Sequence, residues 1–544
     1  MNKNRIHSIW ILVSAAAMVL GIFLGYRLSF RKSPEGLVPS KPMSKTEKID
    51  ELLRFVSEHY VDKIDTDSLV DDIIGRIMTG LDPHSVYIPK SESESVRETM
   101  QGNFVGIGVE FQMDNDTFTI HRILPSSPAQ KAGLKSFDQI LAVNNDTIAG
   151  RQISTDSILH LLKGKAGTEA DLLIRRIPGD SIFRVKVKRD HVPLISVPAA
   201  IMLNDTTGYI KLEVFSETSY DEFKHALDKL KQRGMKSLIL DLRGNSGGYL
   251  KQANLIADEF LPSGELIFYT KNHDKTVKKV YATGRGDFEE GSLYVLIDEN
   301  TASASEIVAG ALQDNDRAVI VGRRSFGKGL VQEELQMKDG SIMRITTARY
   351  YTPSGRSIQR PYRNGHRDEY EEDFYKRYLN GEMFNKDSIK VNDSLKFKTR
   401  KGRTVYGGGG IVPDIFIPLD KSLYHNSYSL ILLRSRLNEI LRDYYLKNYT
   451  SLSNMGKNEF VGNDTLGKNL YRFVFEHENI PEDKHIPPDK KEKFANTLQA
   501  LLGRELFGTD VYYAVKLKLD KAVDTILSGS NIQSAVEISK QTDE

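Results

Sequence analysis

The chain has 544 residues and no cysteine. This excludes disulfides and thiolate metal sites, but it leaves the redox compartment open, because an oxidising space permits disulfides without requiring them. It also has almost no net charge. Lys and Arg total 75 against 73 Asp and Glu, a formal +2, so global electrostatics give no argument for nucleic acid as a partner. There is no short repeat. The Gly327-Lys-Gly329 string lacks the glycine spacing and the following hydroxyl residue of a phosphate loop, and neither a cofactor nor a metal is expected.

The chemistry-bearing feature is Thr301-Ala-Ser-Ala-Ser-Glu306, followed 25 residues after Ser303 by Lys328. A serine hydroxyl is a poor nucleophile until a base takes its proton, and lysine can be that base only with a lowered pKa, for example through desolvation. Residues 293–297 read as a buried strand and 303–312 as a helix, so Ser303 falls where strand hands over to helix and free N–H groups can face negative charge. The plainer reading is an N-cap serine with Glu306 closing a capping box. Residues 238–248 form a short strand opening into a loop with Gly244, Gly247 and Gly248. Its bare amides can meet an oxyanion, or it is an ordinary tight turn. Gln332, in the strand-like run after Lys328, can orient the lysine through its amide oxygen or be a surface residue. A histidine base fares poorly, since of 12 histidines only His273 lies between His225 and Lys328, in a lysine-rich run that reads as a solvated loop. His191 and His366 stay open as alternatives.

Together these segments resemble the C-terminal processing, or tail-specific, serine peptidases, over about residues 45–419. The resemblance implies Ser303 as nucleophile, Lys328 as general base and Gln332 as its orienting partner, with an oxyanion hole from the N–H groups of Ala304 and of Gly247 or Gly248. Glu306 takes a structural role. The match includes Gly80-Leu-Asp-Pro-His-Ser-Val-Tyr87, with His84 where the family usually has tyrosine, outside the implied catalytic set. Residues 104–189 alternate short strands and turns and look like a PDZ domain, whose carboxylate loop would be Gly106, Ile107 and Gly108. That family captures peptide C-termini by strand addition; a packed spacer is the alternative. Leu134-Lys-Ser-Phe-Asp138 departs from the family's usual Pro-Gly before Asp.

The expected fold is an α/β serine peptidase core (191–420) with an inserted or preceding PDZ-like β-rich domain (104–190), N-terminal helices (46–103) and a helical C-terminal extension (421–544), in which 430–446, 494–506 and 511–527 have helical spacing. The basic and aromatic residues between 359 and 400 read as a solvated insertion. Residues 9–26 give 18 positions without formal charge, read as a membrane anchor after a short cytoplasmic tail, with 31–45 as linker. The implied location is single-pass in the inner membrane, with the catalytic part facing the periplasm or otherwise outside the cytoplasm; a cleaved signal peptide is the rival. The expected function is cleavage of exported proteins or peptides after recognition of their free C-termini, with a catalytically silent peptide-binding scaffold as the alternative. A homo-oligomer or a regulatory protein partner is compatible with either.

Overall fold

The computed structural model describes residues 14–22, 24, 45–114, 116–421, 428, 436–478 and 486–529. Contacts divide the chain into Met1–Ile74 and Gly75–Glu544. In the first unit the Lys45–His59 helix carries Ile49, Leu52, Leu53 and Val56 at helical spacing. The membrane-spanning expectation for residues 9–26 does not stand. Of that segment only 14–22 and 24 are described. Among the described residues no helix is long and apolar enough to cross a membrane, so the single-pass inner-membrane placement built on it falls too.

In the second unit a six-stranded sheet runs in the order Ala199–Met202, Thr207–Lys211, Ser237–Asp241, Ser292–Ile297, Val319–Gly322, Ile415–Phe416. All pairings but the first are parallel. Its strands are nearly continuous apolar runs because both faces are covered. On one face Ile210, Leu240, Val295 and Ile320 share a core with Phe223, Ile256 and Val308, which lie on the helices Ser219–Gln232, Leu250–Asp258 and Ala304–Asp314. The alternate residues Tyr209, Ile239, Leu296 and Val321 meet Tyr513, Leu517, Val523 and Ile526 on the other. The end of the C-terminal extension therefore covers the second face of this sheet. Its expected helix over 511–527 is broken into Thr509–Lys516 and Lys521–Ser528. Asp520 makes the break, capping the second helix by accepting the Ala522 and Val523 N–H groups at 2.9 and 3.3 Å.

A second sheet is built on the long strand Ile342–Tyr351, which pairs with Val86–Ile88, Leu266–Asn272 and Leu330–Gln336. Leu266–Asn272 forms a hairpin with Val277–Tyr281, so the lysine-rich run around His273 is a hairpin turn and its flanks rather than a loop. Because Val86–Ile88 already belongs to this body, the PDZ-like layer is an insertion, entered and left through the paired strands Asn103–Gly106 and Asp190–Pro193. Its antiparallel sheet has the order Val109–Asp114, Thr117–Ile123, Gln139–Val143, Glu169–Arg176, Ser181–Lys188, with Ile107, Phe118, Ile140, Ile158 and Leu172 in its own core. Val109–Asp114 is an edge strand. The remaining C-terminal helices form another core around Leu441, Phe460, Leu470 and Phe494 and dock on this sheet. Arg442 Nη1 lies 2.7 Å from Asp114 Oδ2, Asn438 donates to Gln112 Oε1 at 2.9 Å, and Ser136 donates to the Glu505 carbonyl at 2.7 Å. One of these helices is Leu437–Lys447; residues 430–435 of the expected one lie outside the described residues.

Candidate active site

The buried strand Ser292–Ile297 ends in a turn that Thr301 closes, its hydroxyl donating to the Leu242 carbonyl at 2.9 Å and accepting the Asp298 N–H at 2.9 Å. Two residues on, Ser303 is the N-cap of Ala304–Asp314 with φ 56° and ψ −115°. A side chain rarely adopts positive φ, so the conformation must be held by its surroundings. Glu306 Oε2 accepts the Ser303 N–H at 2.9 Å, and the buried Tyr350 hydroxyl donates to the Ser303 carbonyl at 3.3 Å. The cap interaction and the placement of Ser303 at the strand-to-helix turn are thus one arrangement, not rivals.

Glu306 is fully buried and holds more than the serine. Its carboxylate also accepts from the Lys328 N–H at 2.8 Å, the Gly327 N–H at 2.7 Å and the Ser325 hydroxyl at 2.5 Å. Burial pushes its pKa above the ordinary carboxylate value, and these donors pull it back. One side chain therefore ties the Ser303 turn to the loop carrying Lys328. Lys328 Nζ donates to Gln332 Oε1 at 2.7 Å, and Gln332 Nε2 donates to the His84 carbonyl at 2.5 Å. Burial, reinforced by the Arg344 cation and opposed by Glu306 and Asp82, lowers the Lys328 pKa from 10.5 to about 8. A lysine in that range is neutral often enough near neutrality to accept a proton.

The glycine loop is pinned by Asn245, which is completely buried. Its side chain donates to the Leu212 carbonyl at 3.0 Å, and its own carbonyl accepts from the Ala302 N–H at 3.0 Å and the Ser305 hydroxyl at 2.9 Å. Its Oδ1 accepts the Gly247 N–H at 2.9 Å, which commits that amide and corrects the expectation that Gly247 is free to meet an oxyanion. Gly247 is needed instead for close approach: at φ 108°, an added Cβ would lie 2.9 Å from Ser303 Cβ and 3.0 Å from Ala304 N. Gly248 bridges to Phe215, and Ala304 opens the helix, where the first N–H groups have no intrahelical acceptor.

In the PDZ-like layer Ile107 is buried. Its carbonyl accepts the Ala129 N–H at 2.8 Å, and the Gly108 carbonyl accepts the Leu124 N–H at 3.0 Å. Gly108 has φ 80° and no room for a Cβ beside Ser127, while Gly106 lies against the Phe104 ring. Gly106 ends the neck strand Asn103–Gly106, opposite Asp190, and Ile107 and Gly108 link it to the edge strand, within the PDZ layer rather than the Ser303 cluster. The alternative histidines have other partners. His191 meets Asn103 at 3.0 Å in the neck, and His366 meets Arg363 and Glu369 on the surface.

The sequence profile of Peptidase family S41 matches residues 206–365, and that of the PDZ domain matches residues 105–190. A carboxy-terminal-processing protease of Bartonella bacilliformis is 34% identical over 316 residues, covering 57% of this chain and 72% of the relative. The chain belongs to peptidase family S41. A second relative of this S41 peptidase is the carboxy-terminal processing protease CtpB of Bacillus subtilis, 31% identical over 370 residues, or 64% of this chain and 75% of that one. Among solved structures, the photosystem II D1 C-terminal processing protease is 27% identical, with coverage of 57% and 89% and a TM-score of 0.32. The S41 peptidase is thus a carboxy-terminal processing serine protease with a PDZ domain, a module that suggests peptide binding. Sequence reasoning missed Asn245, which was visible only as part of a glycine-rich turn and which ties the glycine loop to the Ser303 turn.

Proposed function

We propose that this S41 peptidase is an endopeptidase working through a Ser303–Lys328 pair. Neutral Lys328 takes the Ser303 proton as Oγ attacks the scissile carbonyl, and the Gly248 and Ala304 N–H groups receive the oxyanion. The Lys328 ammonium then protonates the leaving amine as the C–N bond breaks, leaving an ester on Ser303. Water attacks that ester while Lys328 again accepts and returns a proton. Gln332 keeps the lysine aimed. The observation that carries this reading is the Glu306 carboxylate binding the backbones of Ser303 and Lys328 together, with the lysine amine held by Gln332. Substrates are unfolded chains or peptides with a free C-terminus. Their carboxylate meets the Gly106–Gly108 loop, and their backbone adds to the edge strand Val109–Asp114.

The test is proteolysis of an unfolded protein by wild type, Ser303→Ala and Lys328→Ala, each checked for folding by circular dichroism. Both variants lose turnover. Undiminished cleavage by either overturns its assigned role, and binding without cleavage by the wild type returns the silent scaffold. Peptides ending in carboxylate or amide probe the PDZ role, with equal binding and cleavage of the two counting against it.

A further inference from the structure

The reading of Lys328 as base leaves one question open: what makes Gln332 present its oxygen to the amine? A side-chain amide can rotate end for end, and its NH2 group facing Lys328 would set donor against donor. Here the Gln332 NH2 is committed to the carbonyl of residue 84 at 2.5 Å, which leaves only the oxygen for the lysine. That carbonyl sits in a rigid turn. Asp82 Oδ1 accepts the N–H groups of His84 and Ser85 at 2.8 and 2.9 Å, and Asp82 Oδ2 accepts the Ser85 hydroxyl at 2.6 Å. The Ser85 hydroxyl in turn accepts the Thr346 N–H at 3.2 Å on the strand opposite Gln332.

The imidazole of His84 fixes the other side. Its Nε2 shares a hydrogen bond of 3.1 Å with the hydroxyl of Tyr370, a buried residue on the helix Arg367–Leu379, and the two rings meet edge to face at 5.2 Å. Tyr370 is itself clamped. The Arg360 guanidinium lies against both its ring and that of Phe326, 4.0 and 4.3 Å from the centroids, the two rings themselves meet at 6.2 Å, and Phe326 is two residues before Lys328.

We propose that His84 and Tyr370 are positioning residues for the base: the Tyr370 hydroxyl holds His84, the main-chain carbonyl of His84 fixes the Gln332 amide, and Gln332 aims Lys328. The helix Arg367–Leu379, which reads in the sequence as a solvated insertion, is then part of the catalytic machinery. The ring of His84 does not itself move protons in this scheme. Burial and the neighbouring Lys328 cation depress its pKa to about 3, so it stays neutral while the lysine titrates.

This inference rests on the Ser303–Lys328 reading, so its test contains a control for that reading. The rate at which a small fluorophosphonate modifies Ser303 is measured from pH 6 to 10 in the full chain, independently of any peptide or of the PDZ domain. Ser303→Ala and Lys328→Ala must abolish modification; if they do not, the underlying reading fails, and the inference with it. Given that they do, Tyr370→Phe, which removes one oxygen and keeps the ring, lowers the plateau rate by about ten-fold, the lower end for a supporting residue. It also moves the rising limb to higher pH, because a loosened lysine regains water. His84→Ala does the same, and His84→Gln, whose amide can meet the Tyr370 hydroxyl, recovers most of the rate. A purely structural role would lower the melting temperature while leaving the limb in place. Tyr370→Phe and His84→Ala profiles that superimpose on the wild type overturn the proposal. Should Tyr370→Phe fail to fold, the contrast between His84→Ala and His84→Gln decides it, equal limbs counting against.

Discussion

The most exposed consequence of the Lys328 assignment is the pH dependence of turnover. The active form of the base is the neutral amine, so activity follows the fraction of Lys328 that has lost its proton. With a pKa of about 8, roughly one molecule in eleven is competent at pH 7 and ten in eleven at pH 9, an increase of about ten-fold. An unperturbed lysine near 10.4 would be about 0.04% neutral at pH 7 and would still be gaining about ten-fold per unit at pH 9. Replacing Arg344 by Gln is the informative perturbation. Arg344 is the second cause of the depression after burial, and it pairs with Glu334. Removing its cation stabilises the ammonium and leaves an uncompensated carboxylate nearby, so the pKa rises. Activity at pH 7 falls, while activity at pH 10 changes much less. The assay is kcat/KM on a quenched fluorescent peptide from pH 6 to 10. A wild-type profile flat across that range, a single limb near 6.5 as for imidazole, or a limb that Arg344→Gln moves to lower pH would refute the reasoning.

Glu306→Gln should lower kcat by about a hundred-fold, the effect expected of roughly an ångström of misplacement. Each Glu306 oxygen accepts two donors, so either orientation of the amide sets an NH2 against a backbone N–H; activity within a factor of two of wild type counts against the coupling role. Gly247→Ala places a Cβ 2.9 Å from Ser303 Cβ and should cost about a hundred-fold or more in kcat, comparable to loss of an oxyanion donor, with the PDZ domain still binding peptide by titration calorimetry. Acid should destabilise the fold before its carboxylates titrate. His84 and His121 are held neutral by burial, with pKa values lowered to about 3 and about 4. The unfolded chain takes up those protons below about 6.5, so stability present at pH 7 is lost as pH falls, about 2 kcal/mol per imidazole at pH 5. Thermal melts at pH 7 and 5 check this, and His121→Leu should remove about half of the difference.

What was legible in the sequence is what local pattern dictates. The runs Leu238–Leu240 and Leu293–Ile297 read as buried strands because both faces of a parallel sheet are covered. Ser303 stood at a strand-to-helix transition, and Gln332 lay four residues beyond Lys328, where its oxygen now receives the amine. What escaped depends on surfaces distant in sequence. The last helices could be recognised as helices, yet only the alternation of Tyr209, Ile239 and Leu296 toward a second face shows that they complete the catalytic sheet. His84 was visible only as a departure from the family's usual tyrosine, and nothing local in the sequence places its carbonyl 2.5 Å from the Gln332 amide. The Gly247 N–H was indistinguishable from that of Gly248 until Asn245 was seen to engage it. The apolar run at 9–26 had the composition of a span, but among the described residues no helix is long and apolar enough to cross a membrane.

The central claim is that Ser303 is a nucleophile made reactive by Lys328. It is tested most directly by trapping the wild type and Lys328→Ala at pH 9 with a fluorophosphonate, then locating the adduct by peptide mass mapping. The account predicts a single adduct on Ser303 in the wild type and none in Lys328→Ala over the same time. An adduct on a different serine, or modification of Ser303 at an undiminished rate without the lysine, would contradict it.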